Sequence, residues 1–448
     1  MNRRELILTM GGGLGVVGLS ALAQARPQNT GSCHHRPRAK RVIQLFMNGG
    51  PFQGDFFDPK PALNQYEGQR PNEVKLRTER QTGGLLGSPF RFSKCGQSGL
   101  PVSDLLPKLR AHADDLCVLR SVYTDNPNHG PALLLMNNGT ITPTVPSMGS
   151  WMLYGLGSEN ENLPGYVVLC PGRPVRFSIL WSSAFLPAQF QGSYINHSQI
   201  DPGKMIPFLR NERLSQKAQR KHLDLVQQLN QRHLKQRVVD GRLEARIQAM
   251  ETAFRMQSAG HEAFDLSQEP QAIHSQYGTG HFAHGCLLAR RLVERDVRFV
   301  QVYYGNGQPW DTHNNHNESV KKLAADIDTP IAALLGDLKQ RGMLDDTLVI
   351  WGGEFGRTPV SENGNGRDHN HYGMTMWMAG GGIRGGMAYG ETDTFGFKAV
   401  HNTVHVHDLH ATVLSLLGID HTQLTYRYAG RDFRLTDVSG RVLDKLII

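Results

Sequence analysis

Val297-Arg298-Phe299-Val300-Gln301-Val302-Tyr303-Tyr304 runs into Trp310-Asp311-Thr312-His313-Asn314-Asn315-His316, and this stretch decides the fold. An apolar run of strand length delivers a carboxylate and imidazoles at its exit. A second run, Thr347-Leu348-Val349-Ile350-Trp351, ends in Gly352-Gly353-Glu354-Phe355-Gly356-Arg357-Thr358-Pro359. A polar cluster, Gly366-Arg367-Asp368-His369-Asn370-His371, follows. Between the two runs, residues 317 to 341 read as a helix, so the three pieces make a βαβ unit with both strands pointing the same way. Open α/β sheets bind ligands beyond the carboxyl ends of their strands. Carboxylates and imidazoles gathered there suit a divalent cation.

Working outward, Arg41-Val42-Ile43-Gln44-Leu45-Phe46-Met47 reads as a buried first strand closing in Asn48-Gly49-Gly50-Pro51, with Asp55 and Asp58 beyond it. Residues 60 to 100 are rich in turns. A helix is expected over Val102 to His112, a core strand at Leu116 to Val122, and a helix from Ala132 ending at Asn138-Gly139. A short strand at Val167 to Leu169, a helix at Phe282 to Arg295, a strand at Met374 to Met378 and a helix at His407 to Leu417 complete the alternation. The expectation is a doubly wound, mostly parallel sheet with helices on both faces.

The alternation is interrupted from about 204 to 258. There twelve Lys/Arg face five Asp/Glu, nearly the whole of the +8 net charge, with Leu225, Leu229, Leu243, Ile247, Met250 and Phe254 at helical spacing. This predicts a basic, amphipathic helical insertion within a domain spanning 41 to 448. Its plain role is a solvated helical face. A sharper one is attraction of an anionic polysaccharide such as a sulfated glycan. No nucleic-acid motif accompanies it, so nucleic acid is not an expected partner.

Composition is that of a globular chain, 39% hydrophobic and 20% charged, which argues against wholesale disorder. Five scattered cysteines are too few for a disulfide framework or a zinc ribbon, leaving room for one or two bridges. The first residues are read as a targeting segment. Arg3-Arg4 resembles a twin-arginine export signal, a weakly apolar stretch follows to Leu22, and Ala23-Gln24-Ala25 fits a cleavage site. Residues 1 to 25 are expected to be removed, residues 26 to 40 to form a flexible lead-in, and the mature chain to reside in the periplasm or outside the cell. No apolar run in the mature part is long enough for a spanning helix.

Each candidate has its own warrant. Asp311 and His313, two apart on an extended segment, point the same way and can share an ion. Glu354 leaves an apolar strand, as a ligand, a general base or the partner of Arg357. Arg357 can grip a phosphate or sulfate with two N–H groups, or pair with Glu354. Asp368 and His369 lie in a Gly/Asn-rich segment that reads as a functional loop. His371 and His316 are secondary candidates, whereas His34, His35, His281 and His284 read as surface or core residues.

Taken together, Met47-Asn48-Gly49-Gly50, Phe57-Asp58-Pro59-Lys60-Pro61, Trp310-Asp311-Thr312-His313, Glu354-Phe355-Gly356-Arg357-Thr358-Pro359, Gly366-Arg367-Asp368-His369 and Asp408-Leu409-His410-Ala411-Thr412 resemble the family called domain of unknown function 1501, of the alkaline phosphatase and sulfatase superfamily. The resemblance covers the chain from about residue 41 to its end. It implies an alkaline-phosphatase-like fold and a metal-dependent hydrolase of phosphate or sulfate esters. The superfamily's first-strand Asp corresponds to Asn48, with Asp55 as a substitute. Its later Asp and His correspond to Asp311 with His313 or His316. Its Asp-His pair corresponds to Glu354-Phe355, so the imidazole is lost there. A further His corresponds to His369, beside Asp368. The helix at Asp408 corresponds to a closing, structural helix.

The nucleophile departs from the superfamily pattern, because its place falls on His129, where no hydroxyl stands. His129 would then contact the substrate oxyanion, ligate metal, or attack as imidazole. A metal-activated water removes the need for a protein nucleophile. The expected set is His129, Arg357 and Glu354 for catalysis, and Asp55, Asp311, His313, Glu354, Asp368 and His369 for one or two ions of Zn, Ca, Mg or Mn. The expected substrate is a small-molecule or glycan ester. The competing expectation is a non-catalytic binding or scaffold protein on the same fold, recognising anionic polysaccharide through the basic helices.

Overall fold

The structure, a computed structural model, describes residues 33–206, 213–236 and 241–448. The expected signal segment and the start of the lead-in lie outside the described residues. β1 (Arg41–Phe46) opens the central sheet, and β2 (Phe92–Cys95) pairs with β3 (Leu100–Ser103) in a separate hairpin. β4 (Leu116–Tyr123), β5 (Tyr166–Leu169), β6 (Ser193–Ile195), β7 (Phe299–Tyr303) and β8 (Thr347–Gly352) return to the sheet. β9 (Gly356–Glu362) and β10 (Gly366–Asn370) form a second antiparallel hairpin. β11 (Met374–Ala379), β12 (Met387–Tyr389) and, after the small β13 (Glu391–Thr392) and β14 (Ala399–His401) pair, β15 (Val404–His405) complete the chain's contribution.

The sheet has nine strands in the order β12-β4-β11-β8-β1-β7-β5-β6, with β15 also on β4. Within it β11 runs against the other eight, so the sheet is mostly parallel.

Alternation along the strands explains the layers. In β1, Ile43 and Leu45 enter one apolar cluster while Val42 and Phe46 enter the other. A strand buried on both faces can be nearly all apolar, which is how β1, β7 and β8 read. One face is covered by α4 (His281–Glu294) and α5 (His316–Gln340). The other carries α1 (His129–Asn138) and α6 (Val406–Leu416). α5 joins β7 to β8, and these flank β1 on its two sides. The basic segment folds as α2 (Gln216–Gln236) and α3 (Gly241–Phe264). They are tied by Arg220 to Glu251 at 2.6 Å, and the same guanidinium lies 5.1 Å from the Phe254 ring.

Two local expectations are corrected. Val102 to His112 is not one helix: it holds the end of β3 and the start of a 3₁₀ stretch, Leu109–Asp115. Pro107, in its middle, has no N–H to give and clashes with the preceding turn. Residues 366 to 370 are a buried strand of a hairpin and not an open loop. The described part of the lead-in is hydrogen-bonded: His34 N–H donates to Gly418 O, and Arg38 and Ala39 N–H donate to Leu416 O. All five cysteines are free. Among the described residues, no helix is long and apolar enough to cross a membrane.

Candidate metal centre

The register of the central strands assembles the site. Phe46 lies level with Tyr303 on one side and Gly352 on the other, so the chain leaves β1, β7 and β8 at one height. Beyond those exits the loops interlock. Trp310 N–H donates to Asn48 O at 3.1 Å. Gly49 sits so close that a Cβ there would be 2.4 Å from Asp311 N, and its φ is +116°, so only glycine fits. The hairpin of β9 and β10 docks on the same loop: Arg367 N–H donates to Thr312 O at 3.1 Å and His316 N–H to Asn365 O at 2.9 Å.

Asp311 is the hub. Its Oδ1 lies 2.9 Å from His313 Nε2, 3.1 Å from His369 Nε2 and 2.5 Å from Arg357 Nη2, and its Oδ2 lies 3.3 Å from His129 Nε2. The His129, Asp311 and His369 ligand atoms lie within 4.8 Å of one another, as do those of His313, Asp368 and His369. At 22% exposure the Asp311 side chain is the most open of these groups, so the centre meets solvent there.

Behind each imidazole stands a carboxylate. His129 Nδ1 is 2.7 Å from Glu354 Oε1, His313 Nδ1 is 2.5 Å from Glu362 Oε2, and His369 Nδ1 contacts Glu79 Oε2. An ionised carboxylate only accepts, so each Nδ1 carries the proton and each neutral ring turns an Nε2 lone pair inward. The inward nitrogens and carboxylate oxygens are then all acceptors, met by one guanidinium donor, Arg357, at Asp311. His313 Nε2 and His369 Nε2 face each other at 3.1 Å, His129 Nε2 is buried without a hydrogen-bond partner, and so is Asp368 Oδ1. Such a set needs positive charge at its centre, supplied by protons or by a cation. The donors therefore fit a divalent metal, with histidines oriented by carboxylates in the arrangement usual around zinc.

The electrostatics agree. For Asp311, burial pushes the pKa up, but the close His129, His313 and His369 rings and the Arg357 charge outweigh it and hold the carboxyl far below its usual range. For His129 and His313, burial lowers the pKa, yet Asp311 with Glu354 or Glu362 raises it above the ordinary histidine value.

Other expected residues take different places. Glu354 is fully buried and holds Gly49 N–H at 3.0 and 3.1 Å besides His129, so it backs a histidine instead of facing the ion. Arg357 does not pair with Glu354. It donates to Gly49 O, to Gly50 O at 3.2 Å and to Arg367 O at 3.3 Å, as well as to Asp311, leaving its fork unavailable to a substrate. Asp55 is turned away from the cluster: Oδ1 accepts from Ser88 Oγ at 2.7 Å and Oδ2 from His316 Nε2 at 2.8 Å. His316 Nδ1 in turn meets Thr312 Oγ1 at 2.6 Å, so this chain props the Asp311 loop from behind. Asn48 donates to Gly305 O at 3.0 Å, a structural contact.

Glu79 and Glu362 are functional candidates the sequence reading missed. Glu79 sits in the turn-rich 60 to 100 region, which offers no periodicity to locate it. Glu362 precedes Asn363-Gly364, a turn signal that would have placed it at a hairpin tip.

The family model described as "Protein of unknown function (DUF1501)" matches residues 39–447. No curated protein matches the chain. Among solved structures, the chain is similar to the lipoteichoic acid synthase LtaP from Listeria monocytogenes, at 9% identity and TM-score 0.38, over 88% of this chain and 76% of that one. It is also similar to the PsFucS1 sulfatase from Pseudoalteromonas sp., at 12% identity and TM-score 0.36, over 85% and 68%. A third is the phosphonate monoester hydrolase SpPMH from Silicibacter pomeroyi, at 15% identity and TM-score 0.35, over 76% and 71%.

Proposed function

The chain belongs to the DUF1501 family of proteins of unknown function, and we propose that it is an exported, metal-dependent hydrolase of phosphate or sulfate esters. One observation carries the reading: three histidines, each backed by a carboxylate, turn Nε2 onto the single carboxylate of Asp311. Asp311, His129, His313 and His369 would hold the ion, with Asp368 Oδ1 at hand for a second. A divalent ion supplies a Lewis acid for the ester oxygen and lowers the pKa of water towards neutrality. The protein's own part is to orient. Glu354, Glu362 and Glu79 fix each ring's tautomer and raise its basicity, and Arg357 locks Asp311 to the Gly49-Gly50 turn. No hydroxyl stands at His129, so water is the nucleophile this arrangement favours. Export rests on the Arg3-Arg4 motif alone.

The test is metal analysis of the purified protein together with turnover of aryl phosphate and aryl sulfate esters. Stoichiometric metal, lost along with turnover in Asp311→Ala, is expected. Metal well below one per chain, or ester turnover unchanged in Asp311→Ala, would overturn the proposal. The missing hydroxyl favours a second reading, a non-catalytic binder of anionic polysaccharide through α2 and α3. Chelator-insensitive retention on heparin with no ester turnover would support that reading instead.

A further inference from the structure

An arginine fork beside a metal grips a phosphate or sulfate group well, but two guanidinium groups at the centre are already engaged. Arg357 is spent on three carbonyls and Asp311. Arg80 is paired with Glu362 at 3.1 Å. Arg176 differs: among the described residues its exposed guanidinium has no carboxylate or hydrogen-bond partner.

Its placement is specific. The guanidinium lies against Gly130, the residue after His129 in the first turn of α1. A Cβ built on Gly130 would fall 2.7 Å from both Nε and Nη2 of Arg176. The segment carrying it is stitched to the loop that leads into Asp311. Arg173 N–H donates to Asn306 Oδ1 at 2.7 Å, Gly307 N–H donates to Arg173 O at 3.0 Å, and Pro174 bridges to Gly307. The chain turns there through two consecutive residues of positive φ, Arg176 at 66° and Phe177 at 38°. The Phe177 ring is anchored against Trp181 at 5.2 Å and beneath the Arg173 guanidinium at 4.8 Å. Arg176 thus lies beside the first turn of α1, which begins at His129, on a segment joined to the loop that precedes Asp311.

We propose that Arg176 binds the tetrahedral oxyanion of the substrate at the mouth of the centre, through the paired N–H groups of its free fork. This assignment rests on the hydrolase reading and deepens it. It makes Arg176, and not Arg357, the residue that selects for a phosphate or sulfate group. Gly130 belongs to the same device, because any side chain there would push the guanidinium away.

The experiment measures binding of inorganic phosphate and of inorganic sulfate to the zinc-loaded full chain, by calorimetry, with zinc content determined in parallel. In Arg176→Gln the affinity for the preferred anion should fall about tenfold to a hundredfold, as for the loss of charge-assisted hydrogen bonds, with zinc content unchanged. Arg176→Lys should recover part of the affinity, since a lysine offers charge without the fork. Gly130→Ala should weaken binding in the same direction with the arginine still present. Arg176→Gln binding the anion as wild type does would overturn the assignment while leaving the hydrolase reading intact. Wild-type protein that holds zinc yet binds neither anion would overturn both. Loss of zinc in Arg176→Gln would also overturn the assignment, because Arg176 would then be serving the metal centre itself.

Discussion

At the scale of single residues, similar carboxylates have been given opposite tasks by their surroundings. Asp311 is partly open and ringed by three imidazoles, whereas Asp55 is sealed and already satisfied by Ser88 and His316. Asp55→Asn should therefore keep the metal that Asp311→Ala loses, and lower stability by about 1–3 kcal/mol through a poorly satisfied buried contact. Metal analysis beside a thermal melt checks this, and loss of metal in Asp55→Asn would return Asp55 to the ligand set. Glu362→Gln keeps an acceptor for His313 Nδ1 but removes the charge, so metal affinity should drop about 10–100-fold with the fold unchanged. Competition against a chromogenic chelator reads that out. The sequence made Asp311 and His313 legible because donors two apart at a strand exit point the same way, and His369 because it sits in a Gly/Asn-rich polar cluster. The carboxylates behind them were not legible, since they need only reach a ring nitrogen. Glu79 does so from a segment with no regular structure, and His129 was found only through a resemblance.

At the scale of elements, α1 matters because its first residue is His129 and its last turn is fixed to the rest of the protein. Asn137 accepts from Gln301 Nε2 at 2.6 Å, which ties the helix to the middle of β7. Gly139 closes the helix in the left-handed conformation, φ 71°, where an added Cβ would lie 1.9 Å from Leu435 O. Gly139→Ala should cost at least about 1–2 kcal/mol from the backbone conformation, with the clash adding to it. A fall in the urea midpoint is the check, and an unchanged midpoint would contradict the cap. The elements were mostly legible, because long apolar runs and capped amphipathic stretches announce themselves. Two were hidden for physical reasons. Pro107 broke a helical pattern that apolar spacing alone suggested. The β9–β10 hairpin was masked by its buried polar residues, several of which are held by hydrogen bonds: Arg367 gives Nη1 to Thr358 O at 3.0 Å and Nη2 to Leu86 O at 3.0 Å.

For the whole molecule, buried histidines away from the centre set the response to acid. His410 and His197 are fully enclosed, burial being the main cause that pushes each pKa down to about 3, and hydrogen bonds to Met136 O and His281 O offset it only in part. An unfolded histidine titrates near 6.5. Below that value the unfolded chain takes up protons that the folded chain refuses, so the stabilisation is complete above about pH 6.5 and is lost as pH falls towards 3. Chelated protein, in which metal release plays no part, should show a urea midpoint falling steadily from pH 6.5 to pH 4. His410→Asn should flatten that slope, and an unaltered slope would reject the assignment.

The donors at positions 129, 311, 313 and 369 come from segments far apart in the chain, and their supporting carboxylates are as scattered, at 79, 354 and 362. A growing chain has no binding pocket until most of its length has been synthesised and the last hairpin has docked. On the hydrolase reading, capture of an ion would thus be a late event, and the compartment in which the chain completes its fold would decide, through the metals available there, which one it keeps.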